Sequence, residues 1–252
     1  EEARSHWPNA KWDDVIGAFY TAEDGRANPV DVTMSLAKGF RQRGGTLVEG
    51  VRVTDVLEQQ GQVTAVVTDH GTVETQFVVN CAGMWARQFG ELAGVSLPLQ
   101  AAEHYYLITE DMPGMTPTTP VLEDPDRYAY FREEVGGMMI GLFEPEAAPW
   151  NLDRIPDDFS FGEIDPDWER MIPFLESAYE RVPEAKNLGI RKFFCGPESF
   201  TPDLAPLVGE APELRNYFVA CGMNSLGILS GGGIGRILAH WIVNGQPDVD
   251  VT

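Results

Sequence analysis

The sequence predicts an α+β (α/β) protein: a mixed, mainly antiparallel sheet with helices on one face. Three observations predict it. In the middle of the chain, "EHYYLITE", "RYAYFREE" and "MMIGLFE" are apolar or alternating runs joined by turn signals, as antiparallel strands are. Two other segments carry apolar residues at helical spacing. Near the C-terminal end, "NYFVACG" reads as a strand running into a glycine-rich turn and a long apolar helix. With 252 residues, 43% hydrophobic and 10% aromatic, the chain can bury a sizeable core.

The elements follow in order. "DGRANPVDVTMSLAKGFRQRGG" predicts a turn and a helix that starts at Pro29 and runs to about Arg43. Val32, Leu36 and Phe40 recur at i, i+4 and i+8, and Gly44-Gly45 ends it. Strands are expected over Val51–Leu57, Val63–Thr68 and Thr72–Asn80, separated by "EQQGQ" and "DHG" turns. "VVNCAG" ends small, as a buried strand does where a ligand or another backbone approaches. The three central strands come next, with "VGG" as the tightest turn. Residues 144–164, rich in Pro, Asp and Glu, read as a surface loop. A helix is expected from about Asp165 to Val182, kinked at Pro173, with Trp168, Met171, Ile172, Leu175 and Tyr179 on one face. "GIRKFFCG" and "NYFVACG" read as strands. In the last helix Ile234, Ile237, Leu238, Trp241 and Ile242 form one apolar face.

Charge excludes several partners. The formal net charge is −21, and the four lysines are Lys11, Lys38, Lys186 and Lys192. Such a surface repels phosphate backbones and anionic lipid, so neither nucleic acid nor a membrane is an expected partner. No apolar run approaches the roughly 20 residues of a membrane span. Cys81, Cys195 and Cys221 are odd in number and widely spaced. That argues against a disulfide framework or a zinc site and for a reducing, cytoplasmic setting. The four histidines show no metal-ligand spacing, so no metal is expected. The opening "EEARSHWPNA" reads as the interior of a longer polypeptide.

The glycine cluster "GMNSLGILSGGGIGRILAHWI" fails the dinucleotide fingerprint: Gly231 and Gly233 have Arg236 where the third glycine belongs. A strand, a glycine-rich turn and a helix start still bring free backbone N–H groups and the positive end of a helix dipole to one point. Ligand binding and close helix-on-sheet packing are both open on this pattern alone.

"CGPESFTPDLAPLVGEAPELRNYFVACGMNSLGILSGGGIGRILAHWIVNGQP" closely resembles the flavoprotein domain of sarcosine and dimethylglycine dehydrogenases, in the D-amino-acid-oxidase-like superfamily. The likeness extends back through "EHYYLITE", "VVNCAGMWA" and "EDGRANPVDVTMSLAKG". It implies an FAD cofactor. By this resemblance the turn Gly222, Met223, Asn224, Ser225, Leu226, Gly227 and the helix start behind it face the flavin ring. Cys81, Ala82, Gly83 and Trp85 are a second cofactor-contacting strand end. Val53 sits where the backbone meets the adenine. Gly196 and Glu198 border the cofactor, Glu198 either orienting it or holding its own turn. The family's opening βαβ unit with G-x-G-x-x-G, its flavin-attaching histidine and its folate-binding domain have no counterpart here. The expectation is therefore a fragment: a partial FAD-binding segment over 15–95, a substrate domain over 96–195 and a C-terminal segment of a Rossmann-like FAD domain over 196–252. Tetrahydrofolate would enter only through a domain outside this chain, and a eukaryotic parent would sit in the mitochondrial matrix.

The implied chemistry is oxidation of an N-methyl amino acid such as sarcosine or dimethylglycine, with hydride passing from the methyl carbon to flavin. It needs a neutral amine, a group that tunes amine protonation and a cation for the carboxylate. His104 matches the family's active-site histidine; imidazole titrates near neutrality, and a satisfied sheet histidine is the other reading. Tyr130 matches the active-site tyrosine. Tyr128, Tyr130 and Arg132 are expected on one strand face, where Arg132 either clamps a carboxylate or pairs with a neighbouring acid. Cys195 reads as a small buried thiol. Leu229 stands where solitary sarcosine oxidases carry a carboxylate-binding lysine, so another cation is needed. The electron acceptor is not readable. Two alternatives stand beside the enzyme. One is a non-catalytic binding protein like the regulatory subunit of pyruvate dehydrogenase phosphatase, which shares "PE-x-FTPD" and "GMNS-x-G". The other is an inactive, flavin-free substrate domain.

Overall fold

The computed structural model describes residues 1–151 and 153–251. Leu152, in the loop expected over 144–164, and Thr252, at the end of the segment expected over 196–252, lie outside the described residues. The helices are α1 (Glu2–His6), α2 (Pro29–Gln42), α3 (Ala86–Leu92), α4 (Trp168–Arg181) and α5 (Gly227–Asn244). The strands are β1 (Val53–Gln59), β2 (Gln62–Thr68), β3 (Gly71–Glu74), β4 (Val78–Asn80), β5 (Gln100–Asp111), β6 (Leu122–Asp124), β7 (Ala129–Glu134), β8 (Gly137–Leu142), β9 (Ile190–Phe200), β10 (Leu207–Glu210) and β11 (Tyr217–Cys221). The α+β architecture expected from the sequence is the one observed. Among the described residues no helix is long and apolar enough to cross a membrane.

The chain forms two compact units, each built from separate stretches. The first comprises Glu1–Ala27, Glu103–Ala148 and Ser160–Pro197; the second comprises Asn28–Ala102, Pro149–Phe159 and Glu198–Thr252.

The first unit is built on the sheet of order β6-β7-β8-β5-β9. β7 and β8 are joined by Val135 and Gly136, both at positive φ (48° and 82°), the backbone of a tight two-residue hairpin turn. Val135 is the costly residue in that turn, because a β-branched side chain disfavours left-handed backbone. Glu133 accepts the Gly136 N–H at 2.9 Å and pairs with Arg26. One sheet face supplies Tyr105, Leu107, Phe131, Met138, Ile140, Leu142 and Cys195 to a core completed by Met171, Leu175 and Ala178 of α4. Each buried Leu, Ile or Phe there contributes about 1.5–3 kcal/mol. Asp167 caps α4, accepting the Arg170 N–H at 3.0 Å, and the helix continues through Pro173 to Arg181.

The second unit holds the antiparallel meander β1-β2-β3 and the sheet β10-β11-β4, in which β11 and β4 run parallel. A single strand over Thr72–Asn80 was the sequence expectation; the chain instead makes β3 and β4, which belong to different sheets. At the break the Thr75 hydroxyl donates to Phe77 O at 2.9 Å, a local bond of the kind that competes with a strand ladder. In α2, Asn28 caps the helix by accepting from Val30 N and Asp31 N at 2.9 and 3.2 Å. None of its residues is buried, however, and Leu36 and Phe40 of the expected apolar face are 63% and 50% exposed. In α5 the expected face is the better buried one, led by Leu238. Gly231, Gly232, Gly233 and Gly235 do not pack closely: a Cβ added at any of them meets nothing within 4 Å.

Candidate functional site

Alternation along β5 sends Tyr105, Leu107 and Thr109 into the core and His104, Tyr106 and Ile108 to the face turned away from α4. Strand register then assembles neighbours for them. Tyr106 is opposite Gly141 of β8, and Gly141 is opposite Tyr130 of β7. In the next row Ile108 is opposite Met139, and Met139 opposite Arg132. The rings of His104 and Phe143 lie 5.1 Å apart, those of Phe143 and Tyr130 5.5 Å apart, and Tyr106 stacks on Phe194 of β9 at 4.5 Å. The Tyr130 hydroxyl donates to Met139 Sδ at 3.9 Å. Gly141 is required here: a Cβ on it would sit 1.8 Å from the Tyr130 ring. His104 and Tyr130 are thus brought together through Phe143 on one half-buried, aromatic face. Such a face has the apolar body and few polar groups of a small-ligand site.

Arg132 shares that face and is paired with Glu134 at 2.7 Å, the acid two residues along its own strand. Tyr128 does not share it. It adopts a left-handed conformation (φ 52°) before β7 begins, so the alternation expected over 128–132 starts only at Ala129. Its ring instead lies 6.3 Å from Phe174 of α4.

On the core side, Tyr105 donates its hydroxyl proton to Glu103 and accepts from Asp167 N at 3.2 Å, while Arg170 binds Glu103 and Glu144. Desolvation drives the Tyr105 hydroxyl strongly upward, and burial pushes the Cys195 thiol up to about 11. Both stay protonated at neutral pH, so Cys195 behaves as a buried core thiol. Gly196 follows it in β9 and is buried, with the Phe194 ring covering it.

The second unit holds the remaining residues. β11 ends at Cys221, and Gly222 turns the chain at φ 66°. Asn224 and Ser225 then hold φ of 48° and 69°, two consecutive non-glycine residues in left-handed backbone. Side-chain bonds over-determine that strain. Asn224 Oδ1 accepts the Thr201 N–H at 2.8 Å, and its Nδ2 donates to Gly222 O at 2.6 Å. Ser225 Oγ donates to Glu198 at 2.6 Å. Met223 O accepts the Leu226 N–H at 2.9 Å, and α5 starts at Gly227 without a side-chain cap. Elsewhere in this unit, Asn80 is fully buried; its Oδ1 accepts from Ala82 N at 3.1 Å, and its Nδ2 donates to Ala86 O and the Tyr217 hydroxyl at 2.9 and 3.0 Å. That fixes the exposed end of β4, where Cys81 and Trp85 are exposed and Gly83 has φ 56°. Val53 opens β1, half-buried, opposite Thr68.

Tyr106, Gly141, Phe143 and Phe194 were missed by sequence reasoning. Tyr106 was within reach, two residues after His104 in an alternating run. A glycine inside the apolar run "MMIGLFE" is also a signal of close approach. Phe143 and Phe194 depend on register between distant strands.

Over residues 1–241 the chain matches the family described as DAO, FAD dependent oxidoreductase. It is 40% identical over 255 residues to the mitochondrial sarcosine dehydrogenase of Mus musculus, which covers 99% of this chain and 27% of that protein. It is also 39% identical over 243 residues to the mitochondrial pyruvate dehydrogenase phosphatase regulatory subunit of Mus musculus, covering 94% of this chain and 27% of that protein. Among solved structures, L-proline dehydrogenase from P. horikoshii has a TM-score of 0.85 at 24% identity, covering 99% of this chain and 64% of that one, a likeness of fold. The chain spans 27% of the length of both curated relatives. With a family match over nearly its whole length and the α+β fold described above, this chain belongs to the DAO family of FAD dependent oxidoreductases.

Proposed function

We propose that this chain supplies the substrate-binding sheet and part of the cofactor-binding unit of an FAD-dependent amine oxidoreductase that demethylates sarcosine, dimethylglycine or a similar N-methyl amino acid. The observation that carries this reading is the convergence of His104, Tyr106, Tyr130 and Phe143 on one sheet face, in a chain 40% identical to a sarcosine dehydrogenase.

The second unit fits FAD. The α5 start offers amide N–H groups with no side-chain cap, behind a turn that Asn224, Ser225 and Glu198 hold rigid. Such a helix end stabilises negative charge on a bound ring. Residues Gly222–Gly227, the β4 end at Ala82, Gly83 and Trp85, and Val53 would hold the cofactor. FAD, when bound, supplies the two-electron acceptor for the C–H bond that is broken.

The sheet face supplies the rest. The His104 imidazole is the group that takes up the ammonium proton, leaving the nitrogen lone pair that the chemistry requires. Phe143 and Tyr130 present apolar surface that orients the N-methyl group and excludes water. Gly141 lets the Tyr130 ring lie flat on the sheet.

The test is anaerobic addition of sarcosine or dimethylglycine to the FAD-loaded full-length protein. Loss of the oxidised-flavin absorption band, with formaldehyde released on turnover, is expected. A flavin that stays oxidised with both compounds refutes the reading. The 39% identity to a phosphatase regulatory subunit favours a second reading, a binding protein without turnover. That reading requires the unbleached flavin and predicts that His104→Ala leaves partner binding intact.

A further inference from the structure

Lys192 has no place in the site read from the sequence, yet β9 sets it beside that site. Its Nζ lies 5.3 Å from the centroid of the Phe194 ring, and Phe194 stacks on Tyr106. Glu110 N donates to Gly189 O at 2.8 Å near one end of the pairing and Tyr106 stacks on Phe194 further along, so β9 runs antiparallel to β5; Lys192, two residues before Phe194 on the same face, falls beside Ile108. Ile108, Met139 and Arg132 form one row across β5, β8 and β7. A cation therefore stands at each end of that row, Arg132 on β7 and Lys192 on β9. The charges of both reach the Tyr106 hydroxyl, as do those of Glu134 and Glu163. Among the described residues the Tyr106 hydroxyl makes no hydrogen bond within the protein.

Both cations have exchangeable partners. Lys192 pairs with Glu163 at 2.6 Å, with the two side chains 42% and 50% exposed. Arg132 pairs with Glu134 at 2.7 Å, with both side chains more than a quarter exposed. Solvated pairs of this kind contribute little, so replacing the acid by another carboxylate costs little.

Resting on the function proposed above, we propose that Lys192 determines specificity for amino acids over simple amines: it exchanges Glu163 for the substrate's carboxylate, with Arg132 closing from the opposite edge and the Tyr106 hydroxyl donating between them. No covalent step is involved. The ligand class is a monoanionic carboxylate carrying a methylated amine, whose ammonium form lies against the aromatic rings of the same face.

Two measurements on the full-length protein test this. In the FAD-loaded protein, Lys192→Gln is expected to raise KM for sarcosine about tenfold, more than it lowers kcat, because a hydrogen bond to a charged group is lost. Turnover of N-methylbutylamine, which lacks a carboxylate, should respond much less, and Lys192→Arg should restore most of the affinity for sarcosine. Calorimetry with glycine betaine reads the same site without turnover, since a quaternary nitrogen has no lone pair to oxidise; Lys192→Gln should weaken its binding about tenfold. Unchanged betaine affinity and an unchanged KM for sarcosine in Lys192→Gln overturn the proposal. If no N-methyl amino acid is oxidised but Lys192→Gln still weakens betaine binding, the demethylation reading fails and the carboxylate site stands.

Discussion

Gly141 and Asn224 show how single residues are constrained by what lies across from them. Gly141 leaves room for the Tyr130 ring, and Gly141→Ala must push that ring aside. The cost in stability is expected to be about 1–3 kcal/mol. The larger effect should fall on activity, because Tyr130 and Phe143 lose their arrangement. Paired urea titration and steady-state kinetics on Gly141→Ala check both; full activity would show that the Tyr130 position is not needed. Asn224 combines left-handed backbone with bonds to Thr201 and Gly222. Asn224→Ala keeps the strain, loses the bonds and leaves the Thr201 N–H unpaired, so a loss of about 2–3 kcal/mol is expected from urea unfolding. The alternation of "EHYYLIT" made the shared face of His104 and Tyr106 readable. The αL conformation of Tyr128 was not readable, because it depends on the short helical turn Pro125–Arg127 just before it.

The β7–β8 hairpin carries two predictions at the scale of the element. Val135 is 76% exposed and occupies a turn position suited to asparagine. Val135→Asn gives up little burial and relieves the backbone, so a gain of about 1 kcal/mol is expected, seen as a Tm rise of about 2–4 °C. Glu133 ties the same turn to Arg26. The Gly136 N–H and then the Arg26 guanidinium hold its carboxyl below the usual carboxylate range. A carboxyl depressed in the folded state contributes stability above its unfolded value of about 4.3, and the contribution is lost as pH falls through the folded value. Unfolding midpoints measured between neutral pH and pH 3 should therefore fall, and Glu133→Gln should fall less steeply. Most helices and strands were legible as elements because their periodicity is local. Which strands pair was less so: β3 and β4 read as one strand, yet β3 pairs with β2 and β4 with β11, in separate sheets.

Charge governs the molecule as a whole. A net charge of −21 produces self-repulsion that opposes compaction at neutral pH. Sodium chloride shortens the range of that repulsion to about 8 Å at physiological ionic strength. Tm at pH 7 should therefore rise when salt is added from a low-salt buffer. A fall would mean that the ion pairs, such as Arg181 with Asp124, outweigh the net repulsion. Each compact unit is assembled from three separate stretches of chain, with β5 and β9 shared between the two assignments. A linear division by composition does not reveal such interleaving.

By itself the sequence determined the α+β class, the helix start at Pro29, a second long helix from about Asp165, the acidic surface and the strand that carries His104, and its resemblance pointed to the flavin family. These depend on residue type and short spacing, which the chain carries locally. Tertiary structure alone decided that Phe143 and Phe194 flank His104 and Tyr106 and that Lys192 stands at the opposite end of the row from Arg132. Those neighbours are set by strand register, which for β5 and β9 joins strands separated by more than 70 residues of chain, a pairing that no local pattern encodes.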